Sequence, residues 1–414
     1  MKQIGENEQI IADYLNEGCT QRNAFRIGME QEFFVLHRNK TCVSYQELTG
    51  VMRKLVEDGV PTYDEEGRVC GFYKEEYAVS FGPAAQLILT IFPQERLHEI
   101  QRIYENFFAK FYAKTKKDGF TVEAYGYQPY AKAEKLKLIP NRKYEYMHAY
   151  FKESGSAGTK MMRGTAALRM AIDYEEEEDY VRKFRLACIL SPLFSFLTDN
   201  SPVYEGEPYT AGMLCSRIWD QVDATRCGFA DGIFEEDFGF DRYASYVYEK
   251  QPILTQEDGK TVIVFRQTAK EYYKNRTLKK TEAAHLLTMV FPKVRSSQYI
   301  ELCCADSMPQ EYTLAYAALV KGIFYNEEAM EKIEEVFAIQ KECEMEEAKQ
   351  ALMQNGYQAN VYGMSAEKAI AIMLATAKGG LPVKEEAYLR PFEGLLKKQC
   401  TLAQTSIKSH KISV

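Results

Sequence analysis

The sequence predicts an α+β fold in one compact unit with a helical C-terminal portion. The chain opens as strand, strand, helix; the pattern after about Thr313 is almost wholly helical; and no repeat, low-complexity segment or Pro/Gly-rich linker divides the 414 residues.

Taken in order, residues 5–17 have the spacing of an amphipathic helix. RIGMEQEFFVL at 26–36 reads as a strand entered through Gly28. EYAVSFGPAAQLILTIF at 76–92 reads as a second strand, rich in β-branched and aromatic residues and uncharged after Glu76. From Pro93 to about Lys116, Leu97, Ile100, Ile103, Tyr104 and Phe107 share one helical face. TAALRMAIDY at 165–174 is a predicted strand, Glu176 to Thr198 a helix and Tyr299 to Ala305 a further strand. The acidic run from Glu175 to Asp179 reads as a solvated helix start. Opposite charges alternate through 326–352, and Gly379 and Gly380 supply a stop signal.

Composition narrows the function. Hydrophobic residues at 46% and charged residues at 27% suit a chain with a sizeable core. The formal charge of -7, with no basic stripe interleaved with aromatics, argues against nucleic acid as a partner. The N-terminus carries acids where a signal peptide needs a basic region, and no run approaches 18 apolar residues. A cytoplasmic protein without a membrane partner is expected. The ten cysteines are dispersed and lack CxxC pairs, so they read as reduced, mostly buried thiols. Adjacent Cys303 and Cys304 allow a redox reading beside that one.

Glu30 and Glu32, two apart on a predicted strand, share a face and can both reach a hard cation in a cleft; an exposed strand face also carries alternating acids.

The segment RIGMEQEFFVL resembles the first-strand signature of the glutamate-cysteine ligases, whose paired glutamates bind magnesium. Further blocks agree in order: IPNRKYEYMHAYF at 139–151, MMRGTAALRMAIDY at 161–174, DNSPVYEGEPY at 199–209, SRIWDQVDATRCGF at 216–229 and HLLTMVFPKVRSSQYIELCCADSMP at 285–309. The resemblance covers roughly residues 20–330. It implies a glutamine synthetase-like fold, a curved, mostly antiparallel sheet with helices on its outer face. Residues 1–330 would form the ligase-like catalytic part and 331–414 a helical portion packed on it. It also implies ATP and Mg²⁺: ATP phosphorylates the side-chain carboxylate of glutamate, and the amine of cysteine attacks the acyl phosphate. Glutamate, cysteine or analogues, and ATP, are the partners implied.

The resemblance assigns Glu30, Glu32 and Glu301 to metal, Arg217 to catalysis, and Gln86, Arg217, Trp219 and Arg226 to substrate or nucleotide; Arg169, which departs from the family, is a further catalytic candidate by its charge. Asn200, Glu205, Asp223 and Asp306 also match their blocks. His148 and His285 read as hydrogen-bonded structural histidines.

Departures from the pattern fall on the same faces. Where the family motif resembles EPGGQxExS, this chain reads GPAAQLILT, so Gly82 and Ile88 replace glutamates. Where it resembles TASxQxNxDY, Ala167, Arg169 and Ala171 replace serine, glutamine and asparagine, and Cys303 stands in an arginine position. Arg169 either clamps phosphate or carboxylate oxygens in a missing cation's stead or pairs with Asp173 on its own face. Two functions stay open: an ATP-dependent ligase with an altered or impaired site, and a catalytically silent member that binds an amino acid or nucleotide or serves as a partner subunit.

Overall fold

The computed structural model of the protein describes residues 4–257, 260–339 and 341–408. Its centre is a nine-stranded sheet built from β1 (Ile27–Leu36), β2 (Val60–Tyr63), β3 (Val69–Tyr73), β4 (Tyr77–Phe81), β5 (Leu87–Gln94), β6 (Thr121–Glu123), β7 (Ala167–Ile172), β8 (Val294–Ser296) and β9 (Ile300–Asp306). The strand order is β8-β9-β7-β1-β5-β4-β3-β2, with β6 on the far end of β1, and every pairing is antiparallel.

Side-chain alternation sorts this sheet into two faces. On β7, Leu168, Met170 and Ile172 are fully buried, while Ala167, Arg169 and Ala171 stay half-buried on the other side. On β9, Ile300, Leu302 and Cys304 point into the core, and Glu301 and Cys303 lie on the face shared with Arg169. The apolar face is covered by helices. Helices along the chain include α1 (Glu6–Asn16), α2 (Tyr45–Leu55), α3 (Leu97–Thr115), α4 (Arg142–Ser154), α5 (Gly158–Gly164), α6 (Glu177–Leu197), α7 (Leu214–Trp219), α8 (Gln310–Phe324), α9 (Glu342–Asn355) and α10 (Ala366–Gly380), of which α5 packs on α4 and α7. Of these, α3 packs on β5, α6 on β9, and α8 on β1 and β7. α10 then lies on α8 and α9 on α6, so the last part of the chain rests on helices that cover the sheet.

Two expectations change. Residues 76–92 are not one strand: they form the hairpin of β4 and β5, closed by a turn in which Gly82 N donates to Gln86 O at 2.8 Å and Ala85 takes φ 63°. The Gly82-Pro83 dipeptide is the turn signal, and it outweighs the β-rich composition around it. Gly82, Ala84 and Gln86 therefore sit in the turn rather than on a strand face. Pro93 and Gln94 close β5, so the following helix begins at Leu97. The alternating charges of 326–352 fall on two helices, Glu327–Val336 and α9.

Candidate active-site cleft

A cleft of about 380 Å³ opens on the polar face of the sheet. Its floor carries Ala167 and Arg169 from β7, Cys303 from β9 and Arg295 from β8. Trp219, Asp220 and Asp223 come from the end of α7 and the loop after it, and Phe291, Pro292 and Lys293 from the segment before β8. Glu346, Lys349 and Gln350 of α9 complete the wall.

Register sets the chemistry of the floor. Glu30 on β1 lies between Arg169 on β7 and Thr90 on β5, and Glu32 pairs with Ile88. The Arg169 guanidinium uses both arms: Nη1 donates to Glu30 Oε1, and Nη2 donates to Glu32 Oε1 at 2.9 Å. The remaining oxygens are also taken. Thr90 Oγ1 donates to Glu30 Oε2 at 3.1 Å, and the Ala167 amide donates to Glu32 Oε2 at 3.2 Å. Of the two sequence readings of Arg169, the clamp on carboxylate oxygens forms, with the chain's own Glu30 and Glu32 as partners, and the pairing with Asp173 does not. Asp173 instead accepts from the Arg26 amide at 2.7 Å.

Glu301 lies across from Arg295, whose Nε donates to its Oε2. Cys303 Sγ donates to the same oxygen at 3.4 Å. Burial pushes the Glu301 carboxyl up, but Arg295 and then Arg169 outweigh it and hold the carboxyl below its ordinary range. Burial and then the Glu301 charge push the Cys303 thiol well above its ordinary value, which keeps it a neutral donor. At Glu32 burial dominates the attraction of Arg169, and the carboxyl is shifted upward. Arg169 itself is held cationic by Glu32, Glu30 and Glu301 against the cost of burial. Lys143, half-buried on α4, has its amine pulled down by burial and by Arg295, with Glu30 opposing.

These residues do not fit a magnesium ion. A hard cation needs six or more oxygens, and the inward oxygens of Glu30 and Glu32 already receive a guanidinium. Ile88 offers no donor opposite Glu32, and Gly82 is in the turn. Among the described residues, no group of three or more His, Cys, Asp or Glu side chains is arranged to hold a metal. The assignment of Glu30, Glu32 and Glu301 to metal thus meets two arginines where the ion would sit.

The other expected residues separate. Trp219 lines the cleft, with Phe291 at 6.5 Å between ring centroids. Arg226 lies fully buried behind the wall. Its Nε donates to Asp223 Oδ2 at 2.8 Å, Nη1 to Met289 O at 2.9 Å and Nη2 to the Tyr150 hydroxyl at 2.7 Å, so it braces Asp223. Arg217 is outside the cleft. It donates to the carbonyls of Gly212 at 3.1 Å, Ala211 at 3.3 Å and Met353 at 3.1 Å, joining the start of α7 to the end of α9. Gln86 is buried in the hairpin turn, donating to Met162 O at 3.2 Å and Thr165 O at 3.3 Å. His148 Nε2 meets Arg163 Nη2 at 2.9 Å, and His285 Nε2 meets Leu254 O at 2.9 Å.

Sequence reasoning passed over Arg295, Lys293 and Lys143. The first two had a visible signal, a short Val-Arg-Ser alternation four residues before a recognised strand, with Lys293 just ahead of it. Lys143 had none, because α4 bears charge on most of its surface. Of the four cations lining the cleft, Arg169, Arg295 and Lys349 are in ion pairs; among the described residues Lys293 has none.

Comparison with known proteins now adds to this geometry. The sequence profile of glutamate-cysteine ligase family 2 (GCS2) matches residues 26–380. Chloroplastic glutamate-cysteine ligase B of Oryza sativa subsp. japonica is 26% identical over 415 aligned positions, spanning 96% of this chain and 82% of the relative. The chloroplastic enzyme of Arabidopsis thaliana is 25% identical, spanning 97% and 79%. In fold, the chain is similar to a glutamate-cysteine ligase from Francisella tularensis solved in complex with AMP, with a TM-score of 0.59 at 10% identity over 94% of this chain and 85% of that one.

Proposed function

This chain belongs to glutamate-cysteine ligase family 2, and we propose that it uses the family's cleft to bind a small anionic ligand while forming γ-glutamylcysteine weakly or not at all. The ligands proposed are those of the family reaction or their close analogues: glutamate, cysteine and ATP. The observation that carries this reading is the pairing state of the cleft. Glu30, Glu32 and Glu301 are each committed to an arginine, whereas Lys293 stands unpaired beside Arg295.

In family chemistry, Mg²⁺ neutralises the triphosphate and cations stabilise charge on the transferred phosphoryl group. Here Arg169 answers Glu30 and Glu32 and Arg295 answers Glu301, so their charge is already spent locally. What remains for an incoming ligand is the Lys293 ammonium and the flat apolar wall of Trp219, Phe291 and Pro292. Such a lining suits a ligand with one carboxylate or phosphate and a modest body, which the 380 Å³ volume accommodates. Arg226 supports this wall through Asp223 rather than by contact with ligand.

An active ATP-dependent ligase with an altered acceptor is the second reading, favoured by the survival of Glu30, Glu32 and Glu301 on one face. Calorimetry with glutamate, cysteine, ATP and Mg-ATP in turn, followed by an assay for γ-glutamylcysteine, separates the two. Binding of one of these ligands with turnover below about 1 per second is expected; turnover in the ordinary enzyme range of about 1 to 1000 per second would install the second reading. All ten cysteines are free, which supports a reducing compartment, and the cytosol is our reading of it.

A further inference from the structure

We propose that Arg169 is a tethered cation standing where the cleft would otherwise hold a divalent ion, so that the cleft binds its ligand without metal and acquires a metal site when Arg169 is removed. This rests on the reading above of the cleft as a ligand site.

The geometry matches that role. Two carboxylates projecting from one strand face, two residues apart, can chelate a common cation. Here that cation is a planar guanidinium delivered by the neighbouring strand, directly opposite Glu30 in the ladder, with one nitrogen to each carboxylate. A guanidinium is suited to this because its donors diverge in a rigid fork, whereas an ammonium is a point charge.

Charge gives a second, independent reason. Glu30, Glu32 and Glu301 bring three negative charges, Arg169 and Arg295 answer them in direct ion pairs, and Lys143 lies close enough to interact with Glu30. Most of the floor's negative charge is therefore answered without an ion, and a divalent cation entering it would leave excess positive charge in a partly buried site. Tethering completes the argument. The guanidinium is held by the same fold as its partners, so a free ion competes against an intramolecular cation at high effective concentration. Neighbouring replacements agree in direction: Ile88, across from Glu32, and Ala171, across from Glu301, contribute no oxygen.

The test uses Mn²⁺ as the probe, titrated into the full chain, with free ion read by electron paramagnetic resonance. The parent protein is expected to show no Mn²⁺ site that depends on Glu30. Arg169→Gln, which shortens the side chain and removes its charge, is expected to gain one site at least tenfold tighter than any in the parent. That site should vanish again in Arg169→Gln combined with Glu30→Gln. Mn²⁺ should also raise the melting temperature of Arg169→Gln and leave that of the parent unchanged. The proposal is overturned if folded Arg169→Gln binds Mn²⁺ no better than the parent. It is equally overturned if the parent binds Mn²⁺ at a site that Glu30→Gln abolishes, and this arm stands even if Arg169→Gln fails to fold. Calorimetry of the parent with glutamate, cysteine and ATP in EDTA addresses the underlying reading alone: absence of any binding there removes the ligand-site reading while the Mn²⁺ results still decide what Arg169 replaces.

Discussion

Ile88 stands directly opposite Glu32 in the antiparallel pairing of β1 and β5, so one carboxylate of the cleft has a hydrocarbon as its nearest cross-strand neighbour. Only Arg169 and the Ala167 amide offset that carboxylate's loss of water. Placing a second acid there should be costly. Ile88→Glu is expected to destabilise the protein by about 2 to 4 kcal/mol, from a poorly paired buried charge facing a like charge, as read by urea unfolding. An unchanged midpoint would mean that position 88 is more open to solvent than its burial implies.

Removing the cation should cost more than removing an ordinary surface charge. Arg169→Ala leaves Glu30 and Glu32 side by side without a cation, held only by the Thr90 hydroxyl and the Ala167 amide, and a loss of about 3 kcal/mol is expected. Arg169→Ala and Glu30→Gln should couple by about 1 to 3 kcal/mol in a double-mutant cycle, because they share one network. A coupling near zero would show that the pair is solvated in solution and contributes little.

Lys293 makes the opposite prediction. Its ammonium has no ion pair among the described residues, so Lys293→Gln should change stability by less than about 0.5 kcal/mol. Ligand affinity should nevertheless fall about tenfold, by loss of a charge-assisted contact of about 1.4 kcal/mol. Calorimetry and thermal melting of the same preparation check both. Equal affinity in parent and variant would move the anion contact elsewhere.

Asp199 predicts a pH dependence away from the cleft. It is fully buried, one of its oxygens lacks a hydrogen-bond partner, and burial followed by the nearby Asp306 raises its carboxyl to about 7. The folded protein thus holds a proton there that the unfolded chain releases near its ordinary value of about 3.9. The contribution to stability is complete below about pH 4 and is lost as pH rises through about 7. Asp199→Asn, which cannot ionise, should gain melting temperature relative to the parent at pH 8 and show a smaller gain at pH 5. The reverse order would show that burial does not raise the Asp199 carboxyl in the folded protein.

How much of this was legible depended on whether a residue's partner was close in the chain. β1, β7 and β9 were readable because their alternation is local, and the common face of Glu30, Glu32 and Glu301 was expected from the family resemblance. The hairpin of β4 and β5 was misread because its flanks are as β-prone as its strands, and only Gly82-Pro83 marks the turn. Gln86 consequently moved from a strand face to a buried turn brace. The destination of Arg169 was legible in kind, as a clamp on carboxylate oxygens, but not in its partners. Choosing between a ligand, Asp173 and the glutamates of another strand requires the β1–β7 register, which links residues more than a hundred apart. Arg217 shows the same limit: its contact with Met353 O depends on how α9 docks.

That docking has a bearing on when the protein becomes competent. Lys349 pairs with Asp220 at 2.7 Å and with Glu346 at 2.7 Å, so the rim of the cleft is stitched to a helix that is synthesised after every strand of the sheet. On a chain growing from its N-terminus this wall can form only after the sequence of the whole sheet has been made. A nascent or truncated chain ending near residue 330 would carry the sheet and its arginine-bridged floor but lack one wall. Completion of the cleft is therefore the last step open to a growing chain, and loosening α9 would change its wall without touching any residue of the floor.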